Sequence, residues 1–154
     1  MIHVRRATES DLDALMQLAE EFALCSPFRE LVSLEELRSN VSRMVTAPSD
    51  KTLVLVAEVA EAEPRPVGVI VGALTTLWFC AATVAVELAW WVSPEHRTSS
   101  AGWRLLSAYE QWAKASGASW VMMSDMPNGA TSNMDAAYLK RGYTLVERAY
   151  RKEL

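Results

Sequence analysis

Between Arg65 and Glu87 the chain carries no charged residue. A run of that length has two solutions: an apolar helix that crosses a bilayer, or two strands buried in one sheet. Gly68, Gly72, Thr75, Thr76 and Thr83 interrupt it, and β-branched residues crowd its first half, VGVIV at 67–71. Those residue types suit a pleated sheet better than a helix. The run therefore predicts a strand at 67–77 and another at 83–92, joined by a turn, and no membrane span.

Around that run the chain reads as a single globular domain, 1–154. Its 154 residues are 51% hydrophobic and 22% charged, enough to bury a core and too apolar for a disordered chain. With 15 basic residues against 19 acidic, the net charge of −4 argues against a nucleic-acid binder, which needs a basic face. Cys25 and Cys80 stand far apart and form no C-x-x-C pair. The expectation is two buried thiols in a reducing, cytoplasmic compartment, with no disulfide and no metal site. The opening Met1-Ile2-His3-Val4-Arg5-Arg6 lacks the apolar core of a signal peptide.

A first strand is expected at 2–6. Thr8, with Asp11 three residues on, starts a helix whose Leu12, Leu15, Met16, Leu18, Ala19 and Phe22 fall at helical spacing. Ser26-Pro27 ends it. Ser33 with Glu36 caps a second helix carrying Leu37, Val41, Met44 and Val45 on one side. A strand at 52–59, a polar loop at 61–66 and the two strands of the charge-free run follow. A helix at 101–116 is closed by Gly117. Then come a strand at 119–124, a short helix from Ser132 or Asn133 to Gly142, and a last strand at 143–150. The order β-α-α-β-β-β-α-β-α-β joins an antiparallel meander to a β-α-β crossover. It predicts an α+β (mixed α/β) fold: one mostly antiparallel central sheet flanked by helices.

The chemistry concentrates at 87–106, ELAWWVSPEHRTSSAGWRLL: a strand, a loop of small residues, then a helix. The unsatisfied amides and positive dipole end of a helix N-terminus attract anions, and small side chains let a ligand approach the backbone. Arg97 adds a fixed positive charge. Neither a phosphate-binding G-x-x-x-x-G-K-[ST] loop nor a dinucleotide G-x-G-x-x-G is present. A pyrophosphate suits a cradle made by Arg97, Thr98, Ser99, Ser100, Ala101 and Gly102.

With those residues in view, the chain resembles the GNAT superfamily of N-acetyltransferases, from Ile2 nearly to the C-terminus. That family carries Q/R-x-x-G-x-G/A after a strand ending near V-x-P-E. Here Val92-Ser93-Pro94-Glu95 precedes Arg97, which matches the leading Arg, and Gly102 matches the closing Gly/Ala. Thr98 and Ser100 depart from the expected glycines. If the middle position needs φ > 0, Ser100 is strained there; if it needs only a small side chain, serine suffices. The opening at 4–11, the Pro66-Val67-Gly68 triplet and the stretch NMDAAYLKRGY at 133–143 match family features in the same order.

The resemblance implies acetyl-CoA or another acyl-CoA as cosubstrate and a primary amine of a small molecule or protein as acceptor. It implies pantetheine lying along the strand that ends at Val92, bonded to backbone groups of Trp91 and Val92. That strand would splay from the one at 119–124, and a free amide on it would polarise the thioester carbonyl. Glu87 is the only charged residue between Arg65 and Glu95. It is either a buried base for the amine or a carboxylate at the sheet's solvent mouth or paired with an arginine. Tyr138 matches the family's general acid, or packs its short helix on the sheet. Asn133 matches a position that contacts pantetheine or caps the helix. Trp90 and Trp91 face opposite sides of their strand, so one of them lines the acceptor cleft or both belong to the core. Phe28, Arg29 and Glu30 lie where the acceptor would enter. The resemblance also admits a homodimer. Two other readings stand beside the enzyme: a catalytically weak CoA-binding regulatory or interaction module, and a protein that kept only the fold.

Overall fold

Five strands form one sheet in chain order: β1 (Ile2–Arg6), β2 (Thr52–Val59), β3 (Pro66–Thr76), β4 (Thr83–Val92) and β5 (Trp120–Met122). The first four pair antiparallel, and β5 runs parallel to β4 after a crossover through a helix. The computed structural model describes residues 1–47, 49–61, 64–126 and 134–154. They divide into two units, 1–124 and 125–154. The first holds the whole sheet with helices α1 (Leu12–Cys25), α2 (Leu34–Thr46) and α3 (Ala101–Ala115); the second holds α4 (Asp135–Lys140). The mixed α+β architecture read from the sequence is the one observed.

The charge-free run folds as β3 and β4, paired from Gly68 opposite Val92 to Thr76 opposite Thr83. Among the described residues no helix is long and apolar enough to cross a membrane. Successive residues of β3 serve opposite faces. Val69 and Val71 pack with Leu15, Leu18 and Phe22 of α1 and with Val41 and Val45 of α2. Gly68 and Gly72 turn to the other face, where a Cβ would meet Leu105 and Tyr109 of α3. Leu105, Leu106, Tyr109 and Ala113 of α3 are fully buried there.

The helix starts follow their signals. The Asp11 carboxylate accepts the Thr8 amide at 2.8 Å, and a single 3-10 turn at Glu9–Asp11 leads into α1. Asp11 also takes both ends of the Arg5 guanidinium at 2.7 and 2.9 Å, and Arg5 reaches Glu58 of β2 at 3.0 Å. This ties β1, β2 and the start of α1 together. The Arg5 hydrogen bonds hold the Asp11 carboxyl below the usual carboxylate range. Ser26 caps the end of α1, and Ser33 accepts the Glu36 amide at 3.3 Å to open α2. Gly117, at φ 76, closes α3.

Three expectations need correction. Cys25 and Cys80 are free but exposed, not buried. Cys25 sits in the last turn of α1 and Cys80 in the β3–β4 turn, where neither has a core to enter. β5 is three residues long, pairing with β4 only from Val84 opposite Trp120 to Val86 opposite Met122. No strand forms over 143–150: Tyr143 is half-buried and residues 144–150 follow as exposed chain, with Leu145 and Val146 both in solvent. A strand exists only where a ladder partner fills its hydrogen bonds, and an apolar pattern does not name that partner. The helix at 132–142 appears as α4 from Asp135; its expected caps, Ser132 and Asn133, lie outside the described residues.

Candidate active site

The site begins at a defect in β4. Val71 pairs with Ala89 and Gly72 with Glu87, so Leu88 is an extra residue, a bulge, and is half-exposed. Without it, Glu87 would share a face with Ala89 and Trp91, on the α1 side. The extra residue turns Glu87 to the face of Gly72 and α3. Glu87 is partly buried, and its Oε2 accepts the Ser124 amide at 3.3 Å. Burial pushes its carboxyl up to about 7, with the Ser124 hydrogen bond opposing.

That hydrogen bond sits where the two strands part. The parallel ladder ends at Val86 opposite Met122, while β4 runs on for six residues, through Val92. Ser124, instead of extending the ladder, gives its amide to the Glu87 side chain. The carboxylate thus stands in the notch where the sheet opens.

Beyond the notch, that edge of β4 has no ladder partner among the described residues. The Ser93 amide donates to Val67 O at 2.9 Å, so in antiparallel alternation Ser93 and Trp91 direct their backbone groups to β3. Val92 directs its own outward. Its carbonyl accepts Arg97 Nε at 3.2 Å, and its amide has no partner among the described residues. Of the two backbones expected to hold pantetheine, Val92 is therefore open and Trp91 is committed to Val69.

Trp91 contributes a ring instead. The indole is buried, edge-on to Phe22, with the Arg97 guanidinium carbon 4.4 Å from its ring centroid. Its Nε1 donates to Glu21 Oε2 at 2.9 Å, and Ser93 Oγ reaches the same oxygen at 3.3 Å. Glu21 went unnoticed in the sequence. The signal was its position three residues after Leu18, on the buried stripe of α1 where a carboxylate needs a partner. Trp90 points the other way, to Gly102 and Trp103.

The loop after β4 makes a 3-10 turn at Pro94–His96 and leads into α3. The Ala101 amide bonds to Ser99 Oγ at 3.2 Å, while the amides of Thr98, Ser100 and Gly102 have no partner among the described residues. Three unsatisfied donors beside Arg97, at the positive end of a helix of four turns, form an anion cradle. They fit a pyrophosphate. Ser100 sits at φ −80 and ψ 4, so no left-handed backbone is required there and serine is unstrained. A Cβ at Gly102 would lie 3.4 Å from the Trp90 ring, at ordinary contact distance.

Tyr138 lies in α4, its ring 5.3 Å from that of Tyr143. Asn133 is outside the described residues. Phe28, Arg29 and Glu30 are exposed, around a 3-10 turn at Arg29–Leu31. A surface groove of about 480 Å³ between β1 and α3, lined by His3, Trp103, Arg104 and Gln111, holds none of the expected site residues. No cluster of metal-ligating side chains exists among the described residues.

The family model described as the acetyltransferase (GNAT) family matches residues 13–143. The chain belongs to that family. No curated protein matches it in sequence. Solved structures repeat the fold at low identity. A Trypanosoma brucei acetyltransferase is similar at 20% identity and a TM-score of 0.74, with 100% of both chains covered. AAC(6')-Iy, solved with the bisubstrate analogue CoA-S-monomethyl-acetylneamine, is similar at 15% identity and 0.75, covering 100% of this chain and 99% of that one. The glucosamine-6-phosphate N-acetyltransferase of Arabidopsis thaliana gives 14% and 0.73, over 99% and 98%.

Proposed function

We propose that the protein is an N-acetyltransferase that moves an acetyl group from acetyl-CoA to a primary amine, with Glu87 as the base. One observation carries this reading: burial in the notch where β4 and β5 part pushes the Glu87 carboxyl up to about 7. A base of that pKa takes an ammonium's proton at working pH and releases it again. Arg97 and the amides of Thr98, Ser100 and Gly102 would hold the pyrophosphate, with Ser99 and Ala101 shaping the loop between them. The Val92 amide and carbonyl would align the pantetheine arm once Arg97 leaves that carbonyl. Acetyl-CoA, when bound, supplies the activated acyl carbon and a thiolate leaving group. Tyr138 would hold the proton for the departing sulfur, on the strength of its family match, and Asn133 would contact the arm. The family model runs across both units of the chain, which supports reading 1–154 as one catalytic domain. A cytoplasmic site of action belongs to the same reading.

Released thiol, followed over a panel of amines that includes glucosamine 6-phosphate and neamine, tests the activity. Glu87→Gln should lower turnover roughly 100-fold or more while acetyl-CoA affinity holds. Turnover in the wild type should rise with pH through about 7, because only the ionised carboxylate accepts a proton. Unchanged turnover in the variant would remove Glu87 as base. Thermal stabilisation by acetyl-CoA with no amine accepted would favour the alternative, a CoA-binding module without turnover.

A further inference from the structure

Tyr109 is fully buried in α3, and its hydroxyl has no hydrogen-bond partner among the described residues. A buried hydroxyl without a partner is destabilising, and phenylalanine would fill the same space without that cost. The hydroxyl therefore needs a reason. The ring lies against Gly72, where a Cβ would come within 2.5 Å of Tyr109 Cε2, the carbon next to the one bearing the hydroxyl. Gly72 is the register partner of Glu87, and the Leu88 bulge puts both on the α3 face. Glu87 uses Oε2 for the Ser124 amide and leaves Oε1 without a hydrogen bond among the described residues. Tyr109 also senses the carboxylate: after burial, the Glu87 charge is what raises the Tyr109 hydroxyl's pKa.

We propose that Tyr109 is the positioning residue for Glu87: its hydroxyl is held in reserve in the core and donates to Oε1 when the carboxyl loses its proton. The α3 side chain supplies what the notch otherwise lacks, a second donor for the carboxylate. Ser124 offers a backbone amide on one side, β3 offers only uncharged Gly72 on another, and Tyr109 is the titratable group that faces Glu87 from α3. Among the described residues, no charged group moves the Glu87 pKa; burial raises it and the Ser124 amide opposes. Small residues in front of the ring make the approach possible: any side chain at Gly72 would fill the space.

The proposal rests on Glu87 being the base, and the test separates the two. The full-length protein, labelled with ¹³C at the glutamate side-chain carboxyls, is titrated by NMR as wild type and as Tyr109→Phe. Glu87→Gln identifies the Glu87 resonance. Removing a donor to the charged form should raise the Glu87 pKa by roughly one unit, with the acid limb of the turnover profile moving by the same amount. The melting temperature at pH 5, where Glu87 is protonated, should stay level or rise, because only an unpartnered hydroxyl is lost. An unmoved Glu87 titration in a folded Tyr109→Phe protein overturns the proposal, whatever happens to the melting temperature. A shifted titration together with full turnover in Glu87→Gln would uphold the pairing and sink the base role instead.

Discussion

At the scale of single residues, the cost of placing Glu87 in the notch is legible as pH dependence. Its folded pKa of about 7 lies above the ordinary carboxylate value. The protonated form is therefore favoured by folding, and that advantage is complete below about pH 4 and fades as pH rises through about 7. The shift bounds the loss at about 3 kcal/mol, from about 1.4 kcal/mol per pKa unit. Glu87→Gln cannot ionise, so thermal melts should show it more stable than wild type at pH 8 and little different at pH 5. Equal melting temperatures at both pH values would mean the carboxylate is solvated after all. In the proposed role as base, Glu87 would set site against stability at one carboxyl.

At the scale of elements, the strands and helices of the first unit were legible because each carries a local signal. The charge-free run could only be sheet, Ser33 and Gly117 mark helix ends, and Leu105 to Ala113 repeat at helical spacing. What escaped was long-range. Nothing in VELAWWV says that Leu88 is supernumerary; only pairing with Gly72 and Val71 reveals it. That single residue decides which face Glu87 serves. The same holds for β5, which stops early because Ser124 bonds a side chain, and for the exposed chain after α4, whose pattern suited a strand without supplying a neighbour. In the candidate site, Arg97, Val92 and the loop amides were proposed from the family motif, whereas Glu21 and Tyr109 came into view only through three-dimensional packing. The loop–helix junction offers its own test. A Cβ at Gly102 would rest at ordinary contact distances from Trp90 and Val92. Gly102→Ala should therefore keep both stability and acetyl-CoA affinity. Gly102→Val must push the Trp90 ring and should weaken binding roughly tenfold or more in calorimetry. Full affinity in the valine variant would move the phosphate site elsewhere.

At the scale of the whole molecule, the first unit is held at one corner by charge and through its middle by packing. Asp11, 4% exposed, takes two hydrogen bonds from Arg5, which also serves Glu58, so one network binds β1, β2 and the entrance to α1. Asp11→Asn should lower stability by about 1–2 kcal/mol, a figure reduced for the partly exposed guanidinium. Because the Asp11 pKa is depressed in the folded chain, the wild-type advantage should persist above about pH 4 and shrink as acid protonates the carboxyl, a trend that chemical denaturation at several pH values can follow. Across the sheet from that corner, the cation over Trp91 has a consequence for how the protein can be watched. The guanidinium rests 4.4 Å from the indole centroid while also bonded to Val92 O. Phosphate oxygens settling on Arg97 would draw it off the ring and change the light the indole emits. Adding CoA should shift the intrinsic fluorescence, and Trp91→Phe should abolish that shift against the constant glow of the other five tryptophans. The molecule would then report its own occupancy without a label.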